Sequence, residues 1–171
     1  VVFAQNHDTV GNRPSGDRLS QRITFDQQKL AAAMVLLSPF VPLIFMGEEY
    51  GEKAPFPYFT HFDDAELNES VALGRQKEMM RQGFTQTPPR PENEAVFESA
   101  FLDWNLRTQK NHALLPAWYQ ELLRIRREYP ALAQGRNCQA TAFEEDRVLF
   151  VRRWVDKSEM VLVFHFSDKP V

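Results

Sequence analysis

Two short apolar runs on either side of an apolar helix constrain this chain more than any other feature. VVFAQ (residues 1–5) and PLIFMG (residues 42–47) are continuous apolar runs of strand length, as expected of strands covered on both faces. Between them, Thr24 and Gln27 carry the Thr-x-x-Gln form of a capping box, and LAAAMVLL is apolar nearly all round. The spacing predicts a deeply packed helix to about Leu37, stopped by Ser38 and Pro39. Strand, loop, buried helix and strand make a β-α-β unit whose two strands are parallel neighbours. NHDTVGNRPSGDRLS, with Gly11, Pro14 and Gly16, reads as the loop after the first strand. EEYGEKAPFPYFT reads as the loop after the second.

Downstream, Asp64 is placed to cap a more polar helix running to about Gln82, with Gly83 as its exit, and TPPRPENE reads as a surface loop. Leu114, Leu115, Trp118, Leu122 and Ile125 recur on one helical face between Leu114 and Tyr129. Pro116 belongs in the first turn of that helix, since further in it would remove a bond and clash. After Pro130 the character changes. CQATAF, RVLFVRRWV and EMVLVFHF read as strands joined by short turns, pairing as an antiparallel meander. The boundary falls between Ala131 and Arg136, giving regions 1–130 and 131–171. Two parallel strands leave both edges open, and three strands do not close a sandwich. The chain therefore reads as α/β and as an incomplete fragment of something larger. Its open sheet edges offer a route to self-association.

The formal charge of -3 gives no basic footprint for nucleic acid, and no apolar run reaches the length of a membrane span. Arg124, Arg126 and Arg127 cluster on a helical pattern, where a solvated face is the ordinary reading. Cys138 stands alone, so neither an intrachain disulfide nor a zinc set can be built around it. It reads as a small apolar filler in a strand. A reducing, cytoplasmic setting is the expectation.

In parallel α/β folds, reactive groups gather at the carboxyl ends of strands. Asn6, His7 and Asp8 lie at one such end, Glu48, Glu49 and Tyr50 at the next. Both ends point the same way, so these side chains are expected to border one pocket. A carboxylate there can face the oxocarbenium-like transition state of glycoside hydrolysis, and a neighbouring histidine can bond sugar hydroxyls. Tyr50, Phe56, Tyr58 and Phe59 can cover the apolar faces of sugar rings. The plainer readings are turn chemistry at Asp8, a solvated or hydrogen-bonded loop at Glu48 and Glu49, and lid packing for the aromatics.

The ordered set of motifs resembles a known family. FAQNHDTVGNR is similar to the segment that ends the seventh strand of the (β/α)8 TIM barrel in the α-amylase superfamily, and PLIFMGEEYGE to the eighth strand and the loop after it. PFPYFTHF, VALGRQKEM, FESAFLDW and HALLPAWYQELLRIRREYPAL resemble one branch, the maltooligosyltrehalose trehalohydrolases. The resemblance implies the last two β-α units of the barrel, then the start of a small antiparallel β-sandwich. It implies retaining hydrolysis of the α-1,4 bond between a maltooligosaccharide and a terminal trehalose. Asp8 would be the transition-state stabiliser, His7 a ligand to hydroxyls of the same sugar and Asn6 a supporting residue. Glu49 and Tyr50 are named as substrate-binding only for their position.

The same resemblance places the nucleophile and the general acid before Val1, so these residues alone are expected to hydrolyse nothing. Carboxylates and water suffice for the reaction, so no metal or organic cofactor is expected. The chain departs from the family at Thr60-His61-Phe62, where Thr-Asp-His is usual, which puts the trehalose side of the site in question. Two other readings remain open: a glycogen or starch branching enzyme of the same superfamily, and a non-catalytic carbohydrate-binding module on the same scaffold.

Overall fold

The structure is a computed structural model, and it describes residues 1–134 and 137–167. Residues 135 and 136, at the expected boundary, and 168–171, at the end of the expected sandwich region, lie outside the described residues. The chain divides into two compact units. One comprises Val1–Ala4, Lys29–Leu43 and Leu115–Val171; the other comprises Gln5–Gln28 and Ile44–Leu114.

Helix α1 is His7–Gly11 and α2 is Phe25–Leu36. The capping box before α2 forms as the sequence predicts: Thr24 N donates to Gln27 Oε1 at 2.9 Å, and Gln27 N to Thr24 Oγ1 at 3.3 Å. Helix α3 is Ala65–Arg81, capped by Asp64, whose Oδ1 accepts from the N–H groups of Glu66 and Leu67. Gly83 follows it at φ 87°, a left-handed exit that suits glycine. Helix α4, Glu94–Glu98, is a short turn capped by Asn93. Helix α5 is Leu114–Glu128, with Pro116 in its first turn, and α6 is Pro130–Ala133.

Strands β1 (Asn137–Phe143), β2 (Val148–Val155) and β3 (Ser158–His165) form an antiparallel sheet in the order β1-β2-β3. The meander reading therefore holds. In the first unit, one face of this sheet packs on the helices. Ala32, Ala33, Leu36 and Leu37 meet Tyr119 and Leu122 of α5, Leu132 of α6, and Val151 and Phe164 of the sheet. Two arginines close the C-terminal end of α2, where carbonyls lose their intrahelical partners. Arg126 donates to the carbonyls of Leu36, Ser38 and Phe40, and Arg153 to those of Leu37, Ser38 and Leu132. Burial holds both guanidiniums below their ordinary pKa.

Two expectations are corrected. The parallel strands at residues 1–5 and 42–47 are present only as one parallel bridge, Val2↔Pro42. Val2 N donates to Val41 O at 2.9 Å, and Leu43 N to Val2 O at 2.8 Å. The orientation is as read, but the ladder is one residue long. Ala4 bends, Asn6 already caps a helix, and Pro42 has no N–H to extend the pairing. Second, residues 6–20 are not loop throughout: His7–Gly11 is helical, because Asn6 and Thr9 form a capping box of their own. Among the described residues, no helix is long and apolar enough to cross a membrane.

Candidate functional site

The Asn-His-Asp string becomes the start of α1. Asn6 sits in extended backbone at φ -147°, and its Oδ1 accepts from Thr9 N at 2.8 Å. Thr9 Oγ1 in turn accepts from Asn6 N at 2.9 Å. With its N-terminal donors satisfied locally, the turn carries His7 and Asp8 outward. Their side chains are 70% and 69% exposed, and His7 Nε2 lies 3.3 Å from Asp8 Oδ1. Asp8 is not turned into packing. Asn6 is different: its carbonyl oxygen is committed to the cap.

The second loop is built on two left-handed glycines. Gly47 (φ 83°) and Gly51 (φ 70°) flank a 3-10 turn, Glu48–Tyr50. Glu49 is half-buried at that turn. Tyr50 is fully buried. Its hydroxyl donates to Glu52 Oε2 at 2.9 Å, its carbonyl accepts from His112 Nδ1 at 2.8 Å, and its ring lies 6.0 Å from that of Trp104. Burial first, then the bond to Glu52, pushes its phenol well above the ordinary range. So placed, Tyr50 supports the turn and shows no surface to a ligand. Among the described residues, no hydrogen bond, ion pair or ring contact joins Asp8 to Glu49 or Tyr50.

Backbone and two buried charges join the loops that carry these residues. Gly16 (φ 68°) accepts from Phe56 N at 2.8 Å, and a Cβ there would stand 2.2 Å from Pro57 N. No other residue fits that approach. Arg18, 1% exposed, donates to Met46 O at 2.7 Å and Ala54 O at 2.5 Å, with its guanidinium 4.9 Å from the centre of the Phe45 ring. Burial lowers its pKa, and the negative field of Glu52 is the largest opposing influence. Glu52, also 1% exposed, collects four donors: Tyr50 Oη, Lys53 N, Ala54 N and Asp103 N, all within 2.9 Å. A carboxylate with four donors is stable in a protein interior where an unpaired one is not.

No family model matches the chain. A malto-oligosyltrehalose trehalohydrolase from Rhizobium sp. (strain M-11) is 38% identical over 173 residues, covering 100% of this chain and 28% of the relative. One from Arthrobacter ramosus is 43% identical over 141 residues, covering 82% of this chain and 24% of the relative. The chain belongs to the malto-oligosyltrehalose trehalohydrolase family. It corresponds to the C-terminal part of these proteins and spans about a quarter of their length. Among solved structures, a Salmonella typhimurium protein described as an alpha amylase matches with a TM-score of 0.82 at 33% identity, over 96% of this chain and 28% of that one.

Within the trehalohydrolase family pattern, the site residues read from sequence are now placed. Asp8 and His7 are exposed together, Asn6 caps their turn, Glu49 is half-buried and Tyr50 lies beneath the surface. Thr60 and His61 line a cleft of about 550 Å³ with Phe59, Glu92 and Phe97. Arg18 and Glu52 were invisible as site supports. In EEYGE, nothing local separates the one buried carboxylate from two that are only half-buried. The doubled glycines around the turn are the only hint that the loop is tightly wound. Among the described residues, no group of three or more His, Cys, Asp or Glu side chains is arranged to hold a metal ion.

Proposed function

We propose that the chain is the C-terminal part of an enzyme that hydrolyses the α-1,4 bond next to the terminal trehalose of a maltooligosyltrehalose, releasing trehalose. In the same proposal, residues 1–130 end a (β/α)8 barrel and residues 131–171 begin a β-sandwich. One observation carries it: Asp8 stands outward in the first turn of α1, with His7 at 3.3 Å. A carboxylate so placed can face the positive charge that develops on the reacting sugar. Its imidazole neighbour can bond the ring hydroxyls. The nucleophile and the acid that protonates the leaving oxygen belong to the remainder of the enzyme. The relatives' names support the substrate class.

The test is trehalose release by the full-length enzyme. Asp8→Ala should lower turnover about a thousandfold, with a much smaller change in substrate affinity. An unchanged rate removes Asp8 from the reacting group. New α-1,6 branches in place of free trehalose would replace the proposal with a branching transferase.

A further inference from the structure

Helix α1 has five residues, far too few to hold itself, since isolated helices shorter than about 12 residues are marginal in water. Yet the Asp8 carboxylate on it must keep one position. The structure shows what holds each end. At the front, Gln5 is 2% exposed, and its Oε1 accepts from Leu19 N at 3.0 Å. Leu19 directly follows the buried Arg18, so this bond ties the root of the Asp8 turn to the best-anchored segment of its unit. At the back, Arg75 of α3 reaches across 64 residues of sequence. Its Nη2 donates to Gly11 O at 2.9 Å and its Nη1 to Asn12 Oδ1 at 3.0 Å. Glu78 holds the same Nη1 at 2.7 Å, and the Tyr58 ring lies against the guanidinium, 4.6 Å from carbon to ring centre.

These are unusual commitments for a loop. Gly11 O and Asn12 Oδ1 lie at the C-terminal end of α1, where carbonyls lack helical partners, and one planar fork meets both. Among the described residues, no hydrogen bond or ion pair joins Arg75 or Gln5 to the His7 or Asp8 side chain. We infer that Gln5 and Arg75 are positioning residues for Asp8, clamping its short helix from the two ends so that the carboxylate is aimed before substrate arrives. The inference rests on the proposed role of Asp8. Such aiming matters because a misplacement of about 1 Å in a reacting group can cost roughly a hundredfold in rate. A side chain acting this way alters the chemical step more than ground-state binding.

The experiment uses the full-length enzyme and trehalose release. Arg75→Ala and Gln5→Ala should each lower kcat by about ten- to a hundredfold while KM moves by less than about twofold. Gln5→Asn, which keeps a neutral amide acceptor near Leu19 N–H, should recover part of the rate. Arg75→Lys keeps the charge but not the fork, and should not. The decisive arm is a double-mutant cycle: on an Asp8→Ala background, Arg75→Ala should cost nothing further. The inference is overturned if Arg75→Ala and Gln5→Ala lower the melting temperature but leave kcat of the folded enzyme unchanged. It is equally overturned if the cost is the same with and without Asp8. Should Asp8→Ala by itself leave turnover intact, the proposed function fails first, and this inference with it.

Discussion

In the unit that contains the sheet, most of the order comes from apolar side chains: Leu36, Leu122, Leu132, Val151 and Phe164 exclude water between helices and strands, and Arg126 and Arg153 serve only the carbonyls where elements end. In the unit that contains Asp8, no sheet forms among the described residues. Its fixed points are charged side chains bonded to backbone, Arg18 on two carbonyls and Glu52 on three N–H groups and a phenol. The difference follows from what each unit carries. A helix or strand satisfies its own backbone, so packing can be left to hydrocarbon. Loops do not, so their N–H and C=O groups must be met by buried side chains. Apolar packing tolerates substitution of similar volume, whereas a buried acceptor with four donors has no close substitute.

Substitution in each unit tests this contrast. The largest effect is expected from Glu52→Ala, which strands four donors and exposes the Arg18 charge to an apolar surround. A loss of about 4 kcal/mol should appear in thermal unfolding, with faster hydrogen exchange at the Lys53, Ala54 and Asp103 amides. Leu36→Ala, at 0% exposure, should cost about 3 kcal/mol and speed exchange in α2 and the sheet instead. If both variants loosen both units alike, the distinction between them is lost.

A smaller effect tests the polar interior by pH. The Tyr50 phenol is raised above its ordinary value of 10.0, so the folded state keeps its proton where the unfolded state releases it. The associated stability is fully present below about pH 10 and falls as pH rises beyond it. Tyr50→Phe should be less stable at neutral pH but lose less on going to alkali; parallel curves for the two proteins would refute this. The smallest effect belongs to the surface of α5. Arg124 bonds Glu121 at 2.6 and 2.7 Å and also pairs with Glu128, but all three are about half exposed. Arg124→Ala should move the melting temperature by no more than about one degree.

What could be read from the sequence was whatever a short window determines. The capping box at Thr24 and Gln27, the cap at Asp64, the proline in the first turn of α5 and the three-strand meander each depend on a few adjacent residues. Asp8 was legible as an outward acid because its motif is contiguous. What the sequence did not show was which of several local bonds form, and which distant partners join them. Asn6 and Thr9 look like loop residues until their mutual bonds fold a turn. Tyr50 looks like a pocket aromatic until Glu52 and His112 hold it under the surface. Arg75 looks like one more cation on a polar helix, and only the fold shows that it grips residues 11 and 12.

The end of α2 has a last consequence. The Ser38 carbonyl receives both Arg126, from a helix, and Arg153, from a strand. Either cation can therefore change without orphaning that oxygen, so the joint is redundant at this one point. Drift in α5 alone would still strip the Leu36 and Phe40 carbonyls, and drift in β2 alone those of Leu37 and Leu132, so the shared oxygen is the last point of the seam to come open.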